Sequence, residues 1–152
     1  MSQSVESILR LIDFKVMKSY FEVYPEAKSF DRSRLRLSLN VSLLQSEEAE
    51  HDMAVQLQVD LNQDEDASKA CGFAGSMVVN GFFDVAKLRE QHPDDWEPLL
   101  AYNGVTVLFG IVRSAFAELS GASPVGRLVV PTINVGEALR ARGTHEGAGE
   151  DD

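Results

Sequence analysis

Three histidines and one cysteine are the side chains best suited to acid–base, nucleophilic or metal chemistry, and their placement offers little of it. His51 sits in an acidic turn, His92 precedes Pro93, and His145 lies near the C-terminus. None has metal-ligand spacing with Cys71. The sequence holds no glycine-rich phosphate loop opening a helix, no G-x-S-x-G elbow and no H-E-x-x-H pair. It reads as a non-enzyme that needs neither cofactor nor metal. Cys71 falls on the apolar parity of an expected strand, as a small buried hydrophobe would. The acidic runs Glu47-Glu48-Ala49-Glu50 and Asp64-Glu65-Asp66 read as solvated turns, because a calcium loop needs more oxygen ligands at fixed spacing than either supplies. A small-ligand module or enzyme of α+β fold stays open as a rival class, and a closed pocket converging on Arg113, His51 or Asp84 would favour it.

Composition narrows the classes further. The chain has 152 residues, 44% of them hydrophobic, which suits one domain with a real core. Its formal charge of −10 argues against nucleic acid and anionic membrane surfaces as partners, since both select basic footprints. With one cysteine there is no internal disulfide, and the chain fits a reducing compartment. Met1 to Ser7 has no basic leader region, and Arg10 and Asp13 interrupt the apolar run that follows, so neither signal peptide nor membrane insertion is expected. The expectation is a soluble cytoplasmic protein with an N-terminal lead over 1–10, one domain over 11–142 and a disordered acidic tail over 143–152.

The elements that would position any site are legible from periodicity. Leu11 to Val23 is a strand whose apolar parity changes from Ile12, Phe14 and Val16 to Met17, Phe21 and Val23. Either a bulge lies near Lys18 or both faces are partly buried. Leu35, Leu37, Leu39, Val41 and Leu43 alternate with polar residues, as do Met53, Val55, Leu57, Val59 and Leu61. A fourth strand is predicted from about Lys69 to Asn80, with Cys71, Phe73, Gly75, Met77 and Val79 on one face. Its glycines suggest a bulge or a close backbone approach.

A short helix or turn follows over Val85 to His92. Asp94 or Asp95 can cap a helix that tolerates Pro98 in its first turn, Asn103-Gly104 is a candidate break, and Gly121, Pro124 and Gly126 end the long helix. The fold class is α+β: a four-stranded antiparallel meander, then a long helix and a short C-terminal helix.

The long helix is apolar over too much of its surface for one sheet. At about 100° per residue, Ile111, Ala115, Leu108, Leu119, Val112, Val105, Phe116 and Phe109 span roughly 160°, against the ~100° stripe that one packing surface needs. A second buried contact is implied. The remaining face carries small residues at Thr106, Gly110, Ser114 and Ala117, where another chain could approach, and Phe109 and Arg113 are assigned to the same interface. Beyond the helix, Leu128, Val130, Ile133, Val135 and Leu139, with Phe82 and Phe83 upstream, are either core or a binding surface. Placement in a loop and a terminal helix favours binding.

Several of these residues resemble SecB-type export chaperones. Val107-Leu108-Phe109 with Arg113, then Leu128, Pro131, Ile133-Asn134 and Leu139, is similar to that family's L-F-P-Y-x-R segment, long helix body and L-x-L-x-P-x-N-F loop. Phe14-Lys15-Val16 with Lys18-Ser19-Tyr20-Phe21 resembles its first strand, and Asn80-Gly81-Phe82-Phe83-Asp84-Val85 its G-x-F-x-I/V stretch. The likeness runs from about Leu11 to Leu139.

It implies a dimer of dimers that holds unfolded polypeptides, commonly preproteins for export, in an apolar groove without nucleotide or metal. Leu37, Phe82, Phe83, Leu128, Val130, Ile133, Val135 and Leu139 would line or border that groove. Two departures stand out: Leu108-Phe109-Gly110-Ile111 lacks the proline and tyrosine, and a gap-free alignment puts Ser19, Val23 and Ser76 at the acidic positions that dock the translocase motor SecA. A SecB-like chaperone dedicated to another client, such as the antitoxin of a toxin–antitoxin pair, is the nearest alternative.

Overall fold

The computed structural model describes residues 8–27, 30–45 and 52–140. The 143–152 tail, His51, His145 and the run from Glu47 to Glu50 lie outside those residues. Four antiparallel strands form one sheet: β1 (Arg10–Val23), β2 (Leu37–Gln45), β3 (Asp52–Leu61) and β4 (Phe73–Asp84). Helices α1 (Glu65–Cys71), α2 (Ala86–Gln91) and α3 (Trp96–Gly121) follow β3 and β4, and a short helix, α4, spans residues 135–140. The strand order is β1-β4-β3-β2. Strands β2 to β4 are the meander, and β1 returns to the free side of β4, as in a Greek key. Both β1 and β2 are therefore edge strands.

The parity change in β1 is a bulge. Val16 pairs with Val79 and Lys18 with Val78, so Met17 is the extra residue, and a second irregularity lies between Leu11 and Asp13. These slips keep Leu11, Phe14, Val16, Phe21 and Val23 on the face that carries Val79, Gly81 and Phe73. One extra residue in a strand of period two restores the apolar side.

Cys71 is not on strand four. It ends α1, because Gly72 at φ 88° takes the left-handed conformation that closes a helix. The acidic run at Asp64 is correspondingly a helix start, with Glu65 and Asp66 in a first turn where the helix dipole favours carboxylates. Phe82 and Phe83 belong to the end of β4, within the sheet. Asn103-Gly104 does not break α3, which runs unbroken to Gly121. Gly104 is needed for approach: a β-carbon there would lie 3.0 Å from Val55 Cγ2.

The core lies between one sheet face and α3. Val55, Leu57, Val59, Leu61, Phe73, Met77, Val79 and Phe83 from the sheet meet Leu100, Val105, Leu108, Val112 and Phe116, and all are buried. At one end Phe21 stacks on Phe73 at 5.8 Å, while Phe30 meets Phe73 edge-on at 5.0 Å. On β2 the same-facing Leu37, Leu39 and Leu43 are only half-buried, because an edge strand has a neighbour on one side. The other sheet face is wetter, though Ala54 and Ser76 are buried there.

Candidate client-binding surface

The two flanks of α3 differ in kind, and the difference sets the site. Phe109, Arg113 and Ser120 project from one flank; Val107, Ile111 and Ala115 project from the other, about half a turn round the helix. The second flank looks over β1, since Phe14 and Val16 line one trough with Val107, Gly110, Ile111, Ser114 and Ala115. The first therefore faces the β2 side.

That first flank is covered by the chain itself. After α3 the backbone turns and runs back along the helix in an extended strap. Leu128 N–H donates to Ser120 Oγ at 2.6 Å, and Arg113 Nε donates to Val130 O at 2.8 Å. Leu128 and Val130 are fully buried and Val135 nearly so, whereas Val129 and Pro131 point to solvent. The second contact implied by the wide apolar arc is thus supplied in part by the chain's own strap. Phe109 is sealed in the core and Arg113 is committed to Val130, so neither is a free interface residue as the sequence had suggested.

The β1 flank is open. Phe14 and Val16 face the helix side of the sheet, opposite Gly81 and Val79, yet remain 44% and 46% exposed because α3 lies over β3 and β4. The trough continues past Ser19, Met77, Leu119 and Ala122. Gly110 and Ser114 are exposed along it, Thr106 further round the helix is exposed too, and Ala117 is half-buried. A β-carbon at Gly110 would meet nothing within 4 Å. The trough runs beside β1, an edge strand of the sheet, and exposed apolar area next to a strand edge is where interaction sites occur.

The expected client residues do not form one groove. Phe83, Leu128, Val130 and Val135 are closed off within the chain. Phe82 sits on the opposite sheet face, with Lys15 Nζ 5.6 Å from its ring centre, because its pairing with Asp13 and Ala54 puts it on the even side. Leu37, Ile133 and Leu139 remain half-buried around the core on its helix side, and these three are accessible there. Sequence reading missed Ile12, Phe14, Val16 and Met17 as surface residues, all of them exposed. Of these only Met17 carried a signal, the change of apolar parity near Lys18.

The positions aligned with SecA docking are also separated. Ser19 and Val23 pair with Met77 and Phe73 on the helix side, while Ser76 pairs with Tyr20 on the other face, where it donates to Asp60 Oδ1 at 2.6 Å.

Two of the groups that might have marked a reaction site, Asp84 and Arg113, have structural partners. Asp84 Oδ1 accepts the Ala86 amide at 3.0 Å, capping α2, and Arg113 holds the strap. Burial pushes the Cys71 thiol above its ordinary value, with the charge on Asp31 adding to the effect and a hydrogen bond with Asn62 opposing it. Among the described residues no group of three or more histidine, cysteine or acidic side chains could hold a metal ion. Helix α3 is long and apolar enough to cross a membrane by length and composition alone; here its apolar stripe packs on the sheet.

Compared with known proteins, the chain has the fold of a SecB-like chaperone. It is similar to the Mycobacterium tuberculosis Rv1957 SecB-like chaperone, solved in complex with a ChAD peptide from the Rv1956 HigA1 antitoxin, with a TM-score of 0.57 and 12% identity over 83% of this chain and 91% of that one. A Streptococcus agalactiae protein of unknown function aligns with a TM-score of 0.41 and 10% identity, covering 82% of this chain and 97% of that one. No family model and no curated protein matches the sequence.

Proposed function

We propose that this protein is a SecB-type holdase that binds unfolded polypeptides through apolar surface and releases them without ATP. The observation that carries the reading is accessible apolar surface on a SecB-like fold: Ile133 and Leu139, on the segment after α3 and on α4, and Leu37 on β2 are half-buried and accessible. Extended apolar segments are recognised by such a surface with little sequence preference, and the free backbone of an edge strand adds affinity independent of sequence. The protein acts in the cytoplasm, as a homo-oligomer. The β1–α3 trough, with Phe14, Val16 and Gly110, is its assembly surface, and a dimer of dimers is the expected form.

Two client classes fit. Preproteins awaiting export are one. The likeness to a SecB-like chaperone solved with an antitoxin peptide supports the second, a dedicated antitoxin client, and so does the scattering of Ser19, Val23 and Ser76 over two sheet faces, which disfavours SecA docking. The test is whether the purified protein delays aggregation of a denatured client in the absence of nucleotide. No delay with any unfolded chain would refute the holdase reading, and a tight, salt-sensitive complex with SecA in calorimetry would restore the export reading.

A further inference from the structure

Resting on the holdase reading, we propose that residues 127–131 are a built-in stand-in for the client, and that an extended client segment binds by displacing them. The segment has the form of a bound peptide. Its burial alternates strictly from Arg127 to Pro131: exposed, buried, exposed, buried, exposed. That is the period of an extended chain with one face in a groove, yet these residues belong to no strand and pair with none. Among their backbone bonds are two to side chains of α3: Leu128 N–H donates to Ser120 Oγ, and Val130 C=O accepts from Arg113 Nε.

A strand in the sheet is held by a ladder of main-chain bonds to a neighbour of fixed register, whereas the holds on this strap include side-chain clamps from Ser120 and Arg113 and the inserted side chains of Leu128 and Val130. Both clamps are generic. Any extended segment offers an N–H and a C=O two residues apart, and any apolar-x-apolar sequence offers side chains to replace Leu128 and Val130. Ser120 is fully buried beneath the strap and donates to Ala117 O at 3.2 Å, leaving its lone pairs directed to the incoming amide. The client class this selects is an extended polypeptide with alternating apolar residues, not a folded surface and not an amphipathic helix.

Competition of this kind has a defined signature. If the strap must leave before the client binds, the apparent affinity is the intrinsic one reduced by the fraction of molecules with the strap released. Loosening the strap then tightens client binding.

The experiment uses the full chain and a permanently unfolded probe, reduced and alkylated α-lactalbumin, with hydrogen exchange followed by mass spectrometry. On client addition the amides of Leu128, Val129 and Val130 should exchange at least about tenfold faster while those of β3 stay protected. Leu128→Ala, which removes a strap side chain from the groove and leaves Ser120 and Arg113 in place to hold the client, should lower the apparent Kd for the probe several-fold. Strap amides that stay protected in the complex, or a Leu128→Ala protein that keeps β3 protection and binds the probe no more tightly, would overturn the displacement while leaving the holdase reading intact. Failure of the unmodified protein to bind the probe would overturn both.

Discussion

Gly81 of β4 lies directly beneath Leu108 of α3: a β-carbon at position 81 would stand 2.7 Å from Leu108 Cδ2 and 2.9 Å from Phe83 Cε2. The sheet and helix are in contact there without a side chain to separate them. Gly81→Ala should therefore destabilise the fold by ~1–3 kcal/mol through overpacking, read as a lowered urea midpoint. An unchanged midpoint would mean that α3 can lift away from β4 at little cost.

Gly110 has the opposite surroundings, with open space where its β-carbon would be. Gly110→Leu should leave the folding of the single chain unaffected and weaken assembly, seen by light scattering as a shift toward smaller species on dilution. Phe14→Ser, on the facing side of the same trough, should act in the same direction. If both variants keep the parent mass at micromolar concentration, the trough is not the assembly surface.

Leu57 and Leu37 test the sheet from its centre and its edge. Leu57 is fully buried on β3, so Leu57→Ala should cost ~2–5 kcal/mol. Leu37 is half-buried on an edge strand. Its replacement should cost less than that range and reduce client holding, and equal losses at the two sites in denaturant titrations would place Leu37 in the sealed core instead.

Ile133 and Leu139 are half-buried on the strap and α4. Converting both to serine should impair holding of an unfolded client while leaving the mass of the oligomer unchanged, because neither lies in the β1 trough. Holding at the parent level by the double variant would discard this part of the surface.

Cys71 reports on opening of the fold. Its thiol is buried at the C-terminal end of α1 and pushed above its ordinary value chiefly by that burial. The reactive thiolate is therefore scarcer at every pH below that raised value than it would be in the unfolded chain. Alkylation by iodoacetamide at pH 8 should be slow in the native protein and should accelerate steeply through the denaturant transition, followed by mass spectrometry. Rapid alkylation without denaturant would show that α1 opens locally.

Legibility followed the reach of each signal. Strands β2 and β3 were plain because alternation is local and both strands keep one register throughout. Strand four was read too early: αL closure at Gly72 is decided by a φ angle, and Cys71 happened to share the strand's apolar parity. The break expected at Asn103-Gly104 did not occur because packing on Val55 requires a glycine inside an intact helix. Of the proposed client residues, Leu37, Ile133 and Leu139 stayed accessible, whereas Phe82 and Phe83 were divided between two faces by the pleat.

By itself the sequence determined the α+β class, the apolar faces of the middle strands, the change of apolar parity near Lys18, the long helix and the excess of apolar surface on that helix. Each depends on periodicity within one segment, which residue type and spacing encode directly. The tertiary structure alone decided what meets that excess. The apolar arc of α3 is the same whether a partner chain or the chain's own strap covers it, and the choice depends on a turn at Gly126 and on bonds from Ser120 and Arg113 to residues 8 and 17 positions further on. The order of the sheet was decided there too. Which edge of the meander β1 joins is a matter of how a long connection closes, and no local pattern in β1 records it.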